Sequence, residues 1–150
     1  MKFFNLAAAV SVVAMCASPV FAADHEVRMV NKDSEGRTMQ FEPAFLKIAP
    51  GDTVTFVAEN PGHNSESIEG AIPEGATAWK GKINEEISVT FDTEGLYAYK
   101  CLPHFGMGMV GLIQVGEDTS NLEAVQGARY PGKAAARMEE LLGEVTAAAN

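Results

Sequence analysis

The chain has little cysteine, little positive charge and almost nothing in the way of long apolar runs. Two of its 150 residues are cysteine, Cys16 and Cys101, and eleven Lys and Arg stand against twenty Asp and Glu, a formal charge of −9. That balance excludes nucleic acid and anionic membrane surfaces as main partners, because both need clustered cationic side chains. No internal repeat is visible. The apolar character is concentrated in residues 1–22; without them the hydrophobic share falls from 47% to about 41%, ordinary for a globular domain. No later run is long or apolar enough to span a bilayer. The length suits one domain.

Residues 1–22 read as a secretory signal. Lys2 is a short positive start, residues 3–17 are apolar but too short for a membrane span, and Val20-Phe21-Ala22 offers small residues where a signal peptidase reads them. Cleavage is expected after Ala22, with Ala23 as second choice, leaving a mature chain of charge −10 in an exported compartment. Acylation of Cys16 is disfavoured by bulky Met15 before it. A terminus at Ala23 would begin Ala23-Asp24-His25, whose amine, two amides and third-position imidazole form a square-planar donor set for Cu(II) or Ni(II). The plainer alternative is a frayed end.

Export leaves Cys101 alone, so no intramolecular disulfide can form. Three fates are open to a lone exported thiol: a buried inert side chain, a nucleophile, or a thiolate bound to metal.

From residue 26 to 115, short β-type runs alternate with turn signals, which predicts an antiparallel sandwich of about seven or eight strands. Val54 and Phe56 alternate with threonines after the turn Pro50-Gly51-Asp52, and further runs cover residues 87–91, 96–101 and 110–115. Residues 60–84 keep no period, and so long an irregular connection is uncommon unless it is functional. Beyond Gly116 the pattern turns helical. Ser120 is placed to cap a short helix through Ala128, with Glu123 in capping-box position. A second helix over residues 133–148 carries Ala135, Met138, Leu141, Leu142 and Val145 on one face. The division expected is a signal at 1–22, a sandwich at 23–116 and a helical appendage of the same domain at 117–150.

The chemistry lies in Cys101-Leu102-Pro103-His104-Phe105-Gly106-Met107-Gly108-Met109. A thiolate, an imidazole and a thioether within nine residues suit copper, and a trigonal His2Cys centre with a weak axial Met is the blue-copper type. The second imidazole has an obvious supplier in His63, in the irregular connection. Spacing alone leaves Met107 and Met109 equally open as the axial donor. The plain readings are a buried hydrophobic Cys101, a loop histidine at His63, core methionines, a packing role for Trp79 and solvated charges at Lys80, Lys82 and Lys100.

These residues resemble the cupredoxins, and among them the pseudoazurins. The strings that carry the likeness are Pro50-Gly51-Asp52-Thr53-Val54-Thr55-Phe56, Gly62-His63-Asn64, Ile72-Pro73-Glu74-Gly75-Ala76, Lys82-Ile83-Asn84-Glu85 and the Cys101 loop. The loop alone also fits plastocyanin; the two terminal helices decide between them. The resemblance implies a mainly β, Greek-key sandwich with two C-terminal helices. It implies one copper per chain on His63, Cys101, His104 and Met109, with Met107 packing beside the site and the Asn64 N–H on the Cys101 sulfur. It further implies a periplasmic, monomeric one-electron carrier and no enzyme. Transient docking would use an apolar patch of Pro61, Ile68, Leu102, Pro103 and Phe105 around His104, with Lys80, Lys82 and Lys100 at its rim. The acceptor would be a copper-containing nitrite reductase and the donor a c-type cytochrome. Two positions depart from the family habit: Leu102 lacks the hydroxyl often found there, and Pro61 stands where Lys is frequent. The competing classes are an exported copper-delivery protein with the same ligands and a thiol enzyme built on Cys101.

Overall fold

Alternation of apolar and polar side chains builds the strands. In a computed structural model describing residues 21–148, they are β1 (Asp24–Lys32), β2 (Thr38–Glu42), β3 (Phe45–Ile48), β4 (Asp52–Val57), β5 (Glu66–Ser67), β6 (Ile87–Phe91), β7 (Gly95–Lys100) and β8 (Val110–Val115). The signal expected at residues 1–22 lies, up to residue 20, outside the described residues. The helices are α1 (Leu122–Gly127) and α2 (Ala134–Ala148). β4 shows the period of two: Asp52, Val54 and Phe56 are buried, and Thr53, Thr55 and Val57 are half-buried.

The strands form two four-stranded sheets, ordered β2-β1-β4-β6 and β3-β8-β7-β5. The sequence predicts an antiparallel sandwich, but both sheets are mixed. β1 runs parallel to β4 in register Val27↔Phe56, and β3 parallel to β8 in register Leu46↔Ile113. The chain switches sheets at Pro43, after a cis Glu42-Pro43 bond, so β3 joins the second sheet while β2 stays in the first. Parallel neighbours need a crossover connection, and the passage through the second layer supplies one between β1 and β4.

The core lies between the sheets and is strongly aromatic. Trp79 stacks on Phe56 at 5.8 Å between ring centroids, and Tyr99 meets Phe41 and Phe56 edge to face at 4.7 and 5.1 Å. Trp79 is thus a core residue. β8 is buried at every position, because α2 packs against it on the side away from the other sheet.

The helices begin later than the sequence suggests. α1 is entered from Asn121, not Ser120, and Asn121 caps nothing: its side chain accepts from the Leu96 N–H and donates to the Leu96 C=O, fixing the helix to β7. On α2 the buried stripe is Ala134, Met138, Leu141 and Val145, spaced four, three and four residues apart; Ala135 is exposed. No helix among the described residues is long and apolar enough to cross a membrane.

Candidate metal centre

β7 ends at Lys100 and β8 starts at Val110, so the Cys101 loop closes one end of the second sheet. Backbone hydrogen bonds close its neck and fold it inward. The Cys101 N–H donates to the Met109 C=O at 3.1 Å, and the His104 C=O accepts from both Met107 and Met109 at 3.0 and 3.2 Å. Gly108, at φ 95°, turns the chain back after the short 3-10 turn Phe105–Met107, a conformation a side chain would strain. Met109 is thereby fully buried beside Cys101, whereas Met107 is 48% exposed and contributes surface in place of the packing role expected for it.

His63 arrives from the connection between β4 and β6. Gly62 at φ 96° makes the bend, its N–H donates to Asn84 Oδ1 at 2.6 Å, and the Asn84 N–H returns to the His63 C=O at 2.8 Å. Three donor atoms then converge. His63 Nδ1 and His104 Nδ1 are 3.1 Å apart, and the Cys101 Sγ lies 3.7 and 3.5 Å from them respectively. A three-coordinate metal with bonds of about 2.0–2.3 Å at about 100–120° separates its donors by about 3.1–3.8 Å. The triangle has the size that a single ion fills. Among the described residues it is the one cluster of His, Cys, Asp or Glu donors placed to hold an ion.

The surroundings prepare each donor. His63 Nε2 donates to Asn31 Oδ1 at 2.9 Å; an amide oxygen only accepts, so Nε2 carries the hydrogen and the Nδ1 lone pair is left for the metal. Burial, followed by the neighbouring His104, pushes the His63 pKa down and keeps the ring neutral. Burial also pushes the Cys101 thiol up, while the backbone N–H groups of Asn64 and His104 pull the other way. A thiolate in this pocket therefore calls for a cation, and two imidazoles with a thiolate are a donor set matched to copper.

Asn64 ties the site to the sheet. Its Oδ1 accepts from the Leu102 N–H at 2.7 Å, so the link to position 102 runs through backbone and survives the missing hydroxyl. Its amide donates to Glu66 Oε2 and to the Gly81 C=O at 3.1 and 3.0 Å. Glu66, buried, also meets Lys100 Nζ at 3.3 Å, and the Lys100 ammonium lies 5.0 Å above the Phe105 ring. Lys100 is thus committed to a structural pair, while Lys80 and Lys82 are exposed. Of the apolar patch, Pro61, Leu102 and Pro103 are exposed and Phe105 is half-buried, but Ile68 is only 5% exposed and belongs to the core. Sequence reasoning assigned no role to Asn84, though it lies in a quoted string, and missed Asn31 and Lys133, whose N–H donates to the Gly106 C=O at 3.0 Å and brings the start of α2 onto the Cys101 loop.

Ala23-Asp24-His25 is not frayed: Asp24 and His25 pair with Thr53 and Val54 at the start of β1.

A two-layer sandwich that presents a His, Cys and His triangle at the end of its last hairpin defines the class of small single-domain copper proteins. Residues 27–116 match the sequence family described as copper binding proteins, plastocyanin/azurin family. The chain is 49% identical over 141 residues to the pseudoazurin of Paracoccus pantotrophus, covering 94% of this chain and 97% of that protein. Among solved structures, a Sinorhizobium pseudoazurin superposes with TM-score 0.80 at 54% identity, covering 82% of this chain and 96% of the other. The native pseudoazurin of Hyphomicrobium denitrificans gives TM-score 0.77 at 42% identity, over 81% and 97%. The chain belongs to the plastocyanin/azurin family of copper-binding proteins, and within it to the pseudoazurins. These are electron-transfer proteins and not enzymes.

Proposed function

We propose that the chain is an exported, periplasmic one-electron carrier that holds a single copper on His63, Cys101, His104 and Met109, and passes electrons to a copper-containing nitrite reductase or a similar redox enzyme. The observation that carries this reading is the triangle of two Nδ1 atoms and one Sγ, 3.1 to 3.7 Å on a side, two of the three in a loop that also buries Met109 fully. Copper bound there supplies a Cu(II)/Cu(I) couple.

The chain's own residues do the rest. Asn31 fixes the orientation of His63, and the Asn64 and Met109 hydrogen bonds hold the Cys101 loop against the sheet. A cage held from several elements changes little with the charge at its centre, which keeps reorganisation small. His104 is half-buried with Nδ1 in the donor triangle, whereas His63 and Cys101 are buried, so of the three it is the one that offers a route from the centre to solvent. Pro61, which precedes the His63 bend, and Leu102, Pro103 and Met107 of the Cys101 loop add exposed apolar surface of the kind used in brief encounters. Lys80 and Lys82 lie on the strip beside His63 and favour an acidic partner. A c-type cytochrome is the matching donor, and a monomer suffices, since every proposed ligand comes from one chain.

Cyclic voltammetry of the copper-loaded protein tests the carrier. A reversible one-electron wave that survives repeated cycling without copper loss is the expected result. Release of copper on reduction to an added Cu(I) chelator would favour delivery instead.

A further inference from the structure

Outside the metal centre, Asp52, at the first position of β4, is a buried carboxylate whose two oxygens both accept hydrogen bonds. It is 4% exposed. Its Oδ2 accepts from His25 Nε2 at 2.8 Å and from the Ala49 N–H at 3.1 Å, while Oδ1 accepts from the Ala23 N–H at 2.8 Å. Ala23 is held on its other side too, since its C=O accepts from the Thr53 N–H at 2.9 Å. Immediately before it the chain leaves the body of the protein: Ala22 is exposed and Phe21 is 83% exposed. Among the described residues, the first that the fold holds by hydrogen bonds is therefore the one that follows the expected cleavage site.

We propose that Asp52 is the receptor for the mature amino terminus, pairing with the α-ammonium group that cleavage between Ala22 and Ala23 creates. The proposal rests on the export reading given above. Hydrolysis by a signal peptidase breaks the Ala22–Ala23 peptide C–N bond; water gives its hydroxyl to the Ala22 carbonyl carbon and a hydrogen to the Ala23 nitrogen. The resulting amine takes up a further proton at neutral pH. A neutral N–H on Oδ1 thus becomes a charged donor at the same place, facing a carboxylate shielded from water, and charge-assisted hydrogen bonds are the strong ones. Cleavage one residue later would delete Ala23 and leave Oδ1 without that donor. The geometry separates the two sites that the sequence leaves open.

The titratable group facing Asp52 from β1 is His25. From the turn before β4 comes only the Ala49 N–H, and β6 brings Thr90 and Phe91, neither of which titrates in this range, with Asp92 one residue beyond. The carboxylate raises the amine's pKa above its ordinary value of about 8. The pairing is then fully present below the ordinary value and lost as pH rises through the raised one.

The test uses the copper-loaded mature chain beginning at Ala23, beside one extended by a single glycine. The extension keeps the Ala23 N–H but moves the charge away. Near pH 7 the Ala23 chain should melt a few degrees higher, the gap should close by about pH 10, and Asp52→Asn should abolish it. His25 is present in both chains and cancels. Should Asp52→Asn fail to fold, the α-amine pKa, read by NMR in the reduced protein, decides: a value above the ordinary range supports the pairing. Equal melting temperatures and an unshifted amine would overturn it. Mass spectrometry of the exported protein is a separate arm. A terminus at Asp24 would overturn the receptor role whatever the melting data, and a chain retaining Met1 would overturn the export reading beneath it.

Discussion

Cys101, His104 and His63 come together because each is bent into place by a neighbour with its own physical cause: Gly108 for the loop, Gly62 and Asn84 for the connection. Their convergence was legible in the sequence because a thiol, an imidazole and a thioether lay within nine residues, a spacing that one tight loop can close. The residues that orient them were not. Asn31 is 32 positions from His63 and sits in β1 with nothing local to mark it; only the sandwich makes them neighbours. Lys100 read as a docking charge because sequence cannot show that Glu66, on the adjacent strand, takes its ammonium. Asn31→Ala removes the acceptor that fixes the His63 ring. Copper affinity should fall about 10- to 100-fold, with little change in melting temperature of the metal-free chain. Competition against a Cu(II) chelator, read alongside a melt of the metal-free protein, measures both.

The elements divide into those whose period announces them and those whose order it does not record. Alternation located β4 and β6 and the apolar spacing located α2, yet the parallel pairing of β1 with β4 and β3 with β8 follows from a change of sheet at Pro43, which periodicity does not encode. The capping-box reading of Ser120 failed for a related reason. Asn121 next to it is drawn to the Leu96 backbone by tertiary packing, and the helix starts from there. The terminal helices are more than an appendage. Gly132, at φ 54°, allows the chain to press against the Gly106 C=O, and the Lys133 N–H bonds that same oxygen. Gly132→Ala would strain the left-handed backbone by about 1–2 kcal/mol and push a methyl onto the metal loop. It should lower the melting temperature and also shift the visible spectrum of the copper protein, whereas a purely structural position would move only the first.

For the molecule as a whole, the formal charge of −9 sits at odds with the proposed docking face, which includes exposed Lys80 and Lys82. Distribution resolves the conflict. From Gly116 onward three basic residues accompany six acidic ones, while the strip beside His63 keeps its lysines. Charges beside a docking face act on association rate more than on affinity. Lys80→Glu with Lys82→Glu should slow association with an acidic redox partner about tenfold at low salt. The difference should vanish near 1 M salt, where the screening length is about 3 Å. Stopped-flow electron transfer across a salt series reads this directly, and no change at low salt would remove the lysines from the docking face.

The most direct test of a four-ligand copper site is titration of the metal-free protein with Cu(II), followed by visible absorption. One equivalent should bind and produce an intense thiolate-to-copper band, the thiol of Cys101 should become unreactive, and Cys101→Ala should abolish the colour. A colourless protein whose Cys101 remains freely titratable at one equivalent of copper would contradict the assignment.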